Sequence, residues 1–481
     1  MEEEEQAMGI RTASTDSPRH PSLPEAYRTI HIPRGAGWVR RFLAFAGPAY
    51  LVSVGYMDPG NWATDLKGGS AYGYSLLWVI LASNLMAILL QTLCARLGLA
   101  TGRDLAQACR DYYKRPTAIA LWLLCEVAII ACDLAEVIGS AIALKLLFGI
   151  PLIAGVLITS LDVLALLGLM RFGFRKIEAV VITLVGTVAG CFALETFVAR
   201  PDWVSAAHGL VTPTALSGDA LVVALGILGA TVMPHNLYLH SSLVQTRASD
   251  RSPAGIREAI KYNTLDTVLA LGFAFFVNAA ILVLAAAVFH GRGHIVEDFA
   301  DAPKLLRPLL GGGAATAFAI ALLASGQSST ITGTLAGQIV MEGFLNIHVA
   351  PWLRRVITRG LAIVPAVIMI AARGEGGTVD LLVLSQVVLS MQLSFAIFPL
   401  MAFTSDRRRM GEFANPLWLR VVGYAVCLSI AALNLKLLLD QIGILWLAAG
   451  CGVAVVYAAW VNVGWKQPAP ADSDHPLPAH S

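Results

Sequence analysis

Apolar stretches of about 20 residues, each long enough to cross roughly 30 Å of hydrocarbon, recur along this chain from near Phe42 to near Trp465. A bilayer offers no water to backbone amides, so runs of this length are read as helices that satisfy their own hydrogen bonds. Composition agrees, since 57% of the 481 residues are hydrophobic and 14% are charged, against roughly a quarter charged in soluble domains. Spans are expected near residues 43–66, 74–99, 117–148, 151–170 and 177–199. A second series follows near 219–246, 264–290, 314–345, 352–372, 379–403, 416–439 and 442–465. The expected fold class is therefore an all-α integral membrane protein of about 12 transmembrane helices, numbered here as spans 1 to 12.

Charge distribution orders these spans and excludes other functions. A formal net charge of +2 dispersed over short connections does not make the basic patch that nucleic acid requires. Instead Arg40 and Arg41, the group Arg96, Arg103, Arg110, Lys114 and Arg115, and Arg171, Arg175 and Lys176 all fall on one side of the alternating spans. Arg247, Arg251, Arg257 and Lys261, then Arg354, Arg355 and Arg359, then Arg407, Arg408 and Arg409 continue that side. Basic short loops are retained in the cytoplasm, so both termini are expected inside. Residues 1–42 read as a cytoplasmic disordered N-terminal tail without a signal peptide, and 466–481 as a cytoplasmic C-terminal tail. The seven cysteines lie mostly in apolar segments with no Cys-x-x-Cys pair, and read as small core hydrophobes. No Asn-x-Ser/Thr acceptor occurs, which suits a bacterial inner membrane. A monomer is expected.

Two spans break the apolar pattern in their middles. Span 1 carries Asp58, Pro59, Gly60 and Asn61 inside an otherwise hydrophobic run. A carboxylate at mid-membrane costs about 3 kcal/mol or more, so it faces a cavity and marks a pathway. Pro59 removes a backbone donor and clashes with the preceding turn, so the helix is expected to unwind there and expose carbonyls and half-helix ends. Span 6 repeats the device with Met233, Pro234, His235 and Asn236 at its centre. It opens a second group of five spans as span 1 opens the first. Paired interruptions at matching places point to a transport site at the interface of two repeats, residues 43–199 and 219–403. An odd number of spans in each half makes the repeats inverted, with spans 11 and 12 (residues 414–465) appended.

The residues at these breaks form a mixed ligand set. A carboxylate, an amide oxygen and freed carbonyls would suit magnesium or calcium, whereas the thioether of Met233 rewards softer first-row ions. A single acid with neutral ligands also releases its cargo. Transport against a gradient needs a coupled ion, and titratable groups are the usual relay. His235, in the span 6 break, and His240, beyond it, can sense or pass protons. Asp133 and Glu136, three residues apart, share one face of span 3 and require positive partners.

The segments Asp58-Pro59-Gly60-Asn61 and Ala230 to Asn236 resemble the two signature motifs of the Nramp family of proton-coupled divalent-metal transporters. The similarity extends through residues 68–87, 133–141 and 322–344, and covers roughly residues 40–440. The resemblance implies a LeuT-like fold of two inverted five-helix repeats. It implies metal ligation by Asp58, Asn61, Met233 and the Ala230 carbonyl, with the Gly55 carbonyl and Gln386 joining in some conformations. It further implies that Asp133 and Glu136 lead protons from Asp58 towards Arg354 and Arg355, while Glu126 matches an acidic position without an assigned role. The transported ions would be Mn2+ or Fe2+, with Cd2+, Co2+ and Zn2+ as further cargo, coupled to H+; no prosthetic group and no enzymatic activity are expected. Nramp-related magnesium transporters lack the methionine that this chain has at position 233. The rival readings are a LeuT-fold carrier of a small organic solute or of Mg2+, and an intramembrane enzyme. The second lacks any His-Glu-x-x-His or Gly-x-Ser-x-Gly motif.

Overall fold

The computed structural model describes residues 11–12, 21–159 except 25, 34 and 36, residue 161, 174–299 except 298, 312–348, 351–373 and 378–464. Span 1 is two helices, α2 (Pro48–Gly55) and α3 (Pro59–Tyr72), preceded by the short α1 (Trp38–Phe45). Span 2 is α4 (Leu77–Thr101) and span 3 is α6 (Arg115–Phe148), joined through α5 (Leu105–Tyr112). The Asp104 side chain starts α5 with a reciprocal capping box to Gln107, which satisfies two orphan amides at that helix end. Span 4 begins as α7 (Leu152–Thr159), and most of its remainder lies outside the described residues. Span 5 is α8 (Phe174–Ala199), followed by α9 (Trp203–Val211).

The second half repeats the plan. Span 6 is again two helices, α10 (Gly218–Thr231) and α11 (Pro234–Leu243). Spans 7 to 10 are α12 (Pro253–Val288), α13 (Gly312–Leu345), α14 (Pro351–Arg373) and α15 (Thr378–Ser405). A single turn, α16 (Arg407–Met410), leads to α17 (Leu417–Gly464), which runs through spans 11 and 12 with a non-helical Gly443 at φ 75°. Among the described residues seven helices are long and apolar enough to cross a membrane unaided. Span 1 is not one of them because its halves are only 8 and 14 residues long. Span 8 carries a polar middle, and its Ser325, Ser328, Ser329, Thr330, Thr332 and Thr334 are buried against neighbouring helices.

Helix contacts repeat between the halves. Span 3 packs along span 8; spans 1 and 7 pair as do spans 6 and 2; spans 5 and 8 pair as do spans 10 and 3. Spans 1 and 5 also touch, as do spans 6 and 10. The span 3–span 8 contact maps onto itself and every other one onto its counterpart when spans 1–5 are exchanged with 6–10, which is the architecture of two five-helix repeats. Burial follows the same plan: Trp62 of α3 is fully buried, edge-on to Phe192 of α8 and Phe318 of α13.

The expectation of a disordered tail over residues 1–42 is corrected where that segment is described. Ser22 Oγ donates to Asp104 Oδ2 at 2.6 Å and Leu23 is buried. Ile30–His31 pairs in parallel with Arg247–Ala248, and Arg11–Thr12 pairs antiparallel with Ile347–His348. The extended chain ends that follow α11 and α13 offer unpaired backbone groups, and the N-terminal segment satisfies them. The six described free cysteines are buried or half-buried, and the side chain of Cys451 lies outside the described residues.

Candidate metal centre

The two breaks are built alike, and proline starts each second half-helix instead of ending the first. α2 stops at Gly55, Tyr56 and Met57 turn the chain, and Asp58 becomes the N-cap of α3, its Oδ1 accepting the Asn61 amide at 2.8 Å. Pro59 then occupies the first helical position, where its missing N–H would have had no helical acceptor. In span 6, Val232 ends α10, Met233 is the N-cap of α11 and Pro234 takes the first position. The break therefore falls just before the prolines, a finer placement than the expectation of unwinding at Pro59.

Each proline has a consequence four residues upstream. In a continuous helix the carbonyl of residue i receives the amide of residue i+4. Pro59 has no amide to give Gly55 and Pro234 none to give Ala230, so these two carbonyls lose their helical partners. Only a long 3.4 Å turn contact from the Asp58 amide reaches Gly55 O. The freed carbonyls are the two that the family resemblance implies as ligands.

Side chains from four helices close around these carbonyls. Asp58, Met233 and Gln386 are 0% exposed and Asn61 is 2% exposed. Asp58 Oδ2 lies 3.7 Å from Cys132 Sγ of α6, and Met233 shares a buried cluster with the same Cys132, Ala128 and Leu389. Asn236 Nδ2 is 3.5 Å from Met233 Sδ, and a Cβ on Gly55 would collide with Asn236, so only glycine lets α2 approach α11 here. Gly60 is likewise covered by the Gln386 carboxamide, leaving no room for a side chain. The Asn61 Oδ1 and Gln386 Oε1 oxygens are buried and accept no hydrogen bond. Buried acceptors are nearly always satisfied, so paired exceptions beside a carboxylate mark a place where a cation can bind. Among the described residues no three His, Cys, Asp or Glu side chains converge as a resident metal site would require. One carboxylate, two carboxamide oxygens, two carbonyls and a thioether instead suit a cation that is held and then released.

A polar chain leads away from Asp58 through α6. Cys132 Sγ is 4.0 Å from Glu136 Oε1, and Glu136 Oε2 accepts from Thr330 Oγ1 at 2.9 Å. Arg359 closes the chain: it lies 3.5 Å from Glu136 Oε2, donates to Thr330 Oγ1 at 2.6 Å and to the Asp133 carbonyl at 3.3 Å. The arginine that meets Glu136 is not one of the two towards which the proton route was expected to lead. Arg354 pairs with Glu126 at 2.9 Å, and the Arg355 side chain lies outside the described residues. Helical geometry is the reason, since Arg359 stands five residues further into the bundle and reaches the depth of Glu136. Arg359 carried a signal in the sequence, a guanidinium inside an apolar run, where it served only to mark a cytoplasmic loop. Glu126, bonded by Trp122 Nε1 at 3.0 Å, gains a structural role as the acceptor of Arg354.

The two histidines separate. His235 is 2% exposed and lies within electrostatic reach of Asp133, on the side of this chain. His240 turns the other way, with Nδ1 3.0 Å from Gln91 Oε1, and Gln91 Nε2 donates to the Tyr56 hydroxyl at 2.9 Å. Asn278 completes that second network by donating to the Tyr56 carbonyl at 2.8 Å. His240 therefore braces the turn between α2 and α3 and does not face Glu136.

Residues 49–440 match the family described as natural resistance-associated macrophage protein-like. The chain is 59% identical over 432 residues to the divalent metal cation transporter MntH of Nostoc sp., covering 89% of this chain and 98% of that one. It is also 59% identical over 432 residues to the protein of the same name from Bradyrhizobium diazoefficiens, covering 89% and 96%. Its structure resembles that of the Eremococcus coleocola manganese transporter with a TM-score of 0.83 at 38% identity, covering 92% of this chain and 99% of the other. A nucleobase-cation-symport-1 transporter shares the fold alone, at 15% identity and a TM-score of 0.57. With the paired broken helices, the repeated contacts and a match over most of its length, this chain belongs to the Nramp family.

Proposed function

We propose that this protein is a secondary transporter that imports divalent transition-metal ions, Mn2+ or Fe2+ with Cd2+, Co2+ and Zn2+ as further cargo, in symport with protons. The observation that carries the reading is the pair of prolines that strip the Gly55 and Ala230 carbonyls of their partners beside Asp58, Asn61, Gln386 and Met233. Asp58 supplies the only carboxylate of the ligand set, the carbonyls and carboxamides replace waters of hydration, and the Met233 sulfur favours softer ions over Mg2+ and Ca2+. The names of the relatives support a divalent metal as cargo. Alternating access would tilt the half-helices α2 and α10 about the non-helical turns that follow them, while α6 and α13 keep the polar chain in place.

Proton coupling follows from the same groups. Asp58 is a ligand and also the head of the chain through Cys132, Glu136, Thr330 and Arg359, so metal arrival at Asp58 competes with a proton there. Asp133 and His235 flank this route, and the Arg354–Glu126 pair lies further along α6. The protein would act as a monomer in a cell inner membrane, with both termini cytoplasmic. Uptake of Mn2+ into proteoliposomes tests the reading: wild-type protein should load them, and Asp58→Ala should fall to the protein-free background. Wild-type rates in Asp58→Ala would end the assignment of this site.

A further inference from the structure

We propose that the basic cavity beneath the amphipathic α1 binds the headgroup of an anionic phospholipid, such as phosphatidylglycerol, from the leaflet facing the N-terminal segment. The cavity encloses about 330 Å³ between the N-terminal segment, α1 and the start of α12. Arg28, Arg41 and Arg251 line it against Asp250 and Glu258, three positive groups to two negative. The two carboxylates are already engaged. Glu258 accepts from Arg41 at 2.6 Å, and Asp250 receives the Ser252 amide and hydroxyl at 3.0 and 2.9 Å. Arg28 and Arg251 instead donate to neutral oxygens: Ser249 O for Arg28, and Leu99 O and the Tyr27 hydroxyl for Arg251. Arg41 Nε is buried without a partner. A guanidinium with only neutral acceptors retains most of its attraction for a phosphodiester, whose oxygens match its forked donors.

The same helix supplies the surface on which the acyl chains would lie. α1 presents Trp38, Val39 and Leu43 outward at 56%, 60% and 59% exposure, while Phe45 is buried beside Tyr262. Such a helix lies in the interfacial plane with its apolar residues among lipid chains, and its tryptophan at headgroup level. Basic pockets next to such helices on the side of a membrane protein that carries most Lys and Arg recognise acidic headgroups. Occupancy would also join segments that the proposed alternating access displaces. Arg247, at the end of the span 6 segment, donates to Phe45 O and Ala46 O at 3.2 and 2.5 Å, and α2 begins two residues later. A lipid held between Arg28, Arg41 and Arg251 thus fastens the hinge of the half-helix that carries Gly55.

This inference rests on the membrane orientation and not on the identity of the cargo, so its test reads lipid binding and not uptake. Full-length protein released from micelles for native mass spectrometry is expected to keep phosphatidylglycerol adducts at least about fivefold more than phosphatidylcholine adducts, a preference of roughly 1 kcal/mol. Arg28→Gln with Arg251→Gln should abolish that preference, and millimolar inorganic phosphate should not reproduce the stabilisation that phosphatidylglycerol confers on melting. Equal retention of both lipids, an unchanged preference in the double variant, or full reproduction by phosphate would overturn the proposal. If the double variant does not fold, brominated lipids on folded chains decide: the fluorescence difference between wild type and Trp38→Phe should be quenched more by brominated phosphatidylglycerol than by brominated phosphatidylcholine. Equal quenching refutes the site.

Discussion

Arg359 and Glu136 form a deeply buried ion pair, with 2% and 0% of their side chains exposed and a separation of 3.5 Å. At that distance their attraction is about 5 kcal/mol at an effective dielectric constant of roughly 20, and most of it offsets the cost of removing both charges from water. Taking away one partner leaves the other charge stranded, with a typical penalty of about 3–5 kcal/mol. Thr330 remains as a donor to Glu136 at 2.9 Å, so the lower end of that range applies to Arg359→Gln. We therefore expect Arg359→Gln to lose about 3 kcal/mol, and Arg359→Gln with Glu136→Gln to recover more than half of the loss, because the Glu136 charge is then no longer stranded. Reversible unfolding in mixed micelles, followed by tryptophan fluorescence, measures both. A single variant within about 0.5 kcal/mol of wild type would refute the pairing, as would a double variant as unstable as the sum of its singles. On the proposed function, the double variant should still bind Mn2+ but no longer carry protons with it, which would separate this network from the proposed metal ligands.

Other outcomes follow from the same contacts. Met233→Ala should still transport Mn2+ but lose roughly tenfold of its discrimination against Ca2+, about 1.4 kcal/mol, in competitive uptake; unchanged discrimination would remove the thioether as the filter. Gly60→Ala places a methyl group where the Gln386 carboxamide lies, so overpacking should cost about 1–3 kcal/mol. Shortening Gln386 to Ala in the same chain should restore stability but not uptake, and restored uptake would show that Gln386 is not a ligand. Finally, Mn2+ entry should acidify the lumen of a vesicle holding a pH-sensitive dye, and loading without acidification would reject symport.

The amino-acid sequence already carried the helical class, the two interrupted spans and the candidate residues at their breaks, because each rests on a local energy. A carboxylate in an apolar run is expensive wherever its neighbours lie, and a proline lacks its amide in any fold. Asp58 and Asn61 were therefore marked as candidates by their own segment, Met233 by the matching break in the second half, and Asp133 with Glu136 by their spacing. The order of residues 22–24 and 26–33 was not, since polar and Pro-containing chain becomes ordered only when distant partners such as Asp104 and Arg247 offer it backbone and side-chain bonds.

Tertiary structure decided which of these expensive groups meet. Arg354, Arg355 and Arg359 are near-equivalent as cytoplasmic charges in the sequence, yet only the packing of span 9 on span 3 brings Arg359 level with Glu136 and leaves Arg354 to Glu126. His235 and His240 are five residues apart, and helix rotation sends one towards Asp133 and the other to Gln91. Cys132, unremarked among apolar neighbours, becomes the contact between Asp58 and Glu136 only because α6 crosses the break in span 1. The sequence settled what each segment could not afford to leave exposed to lipid, since that depends on one residue and its helix. Which partner relieves the cost depends on the register between helices far apart in the chain, and only the assembled bundle sets it.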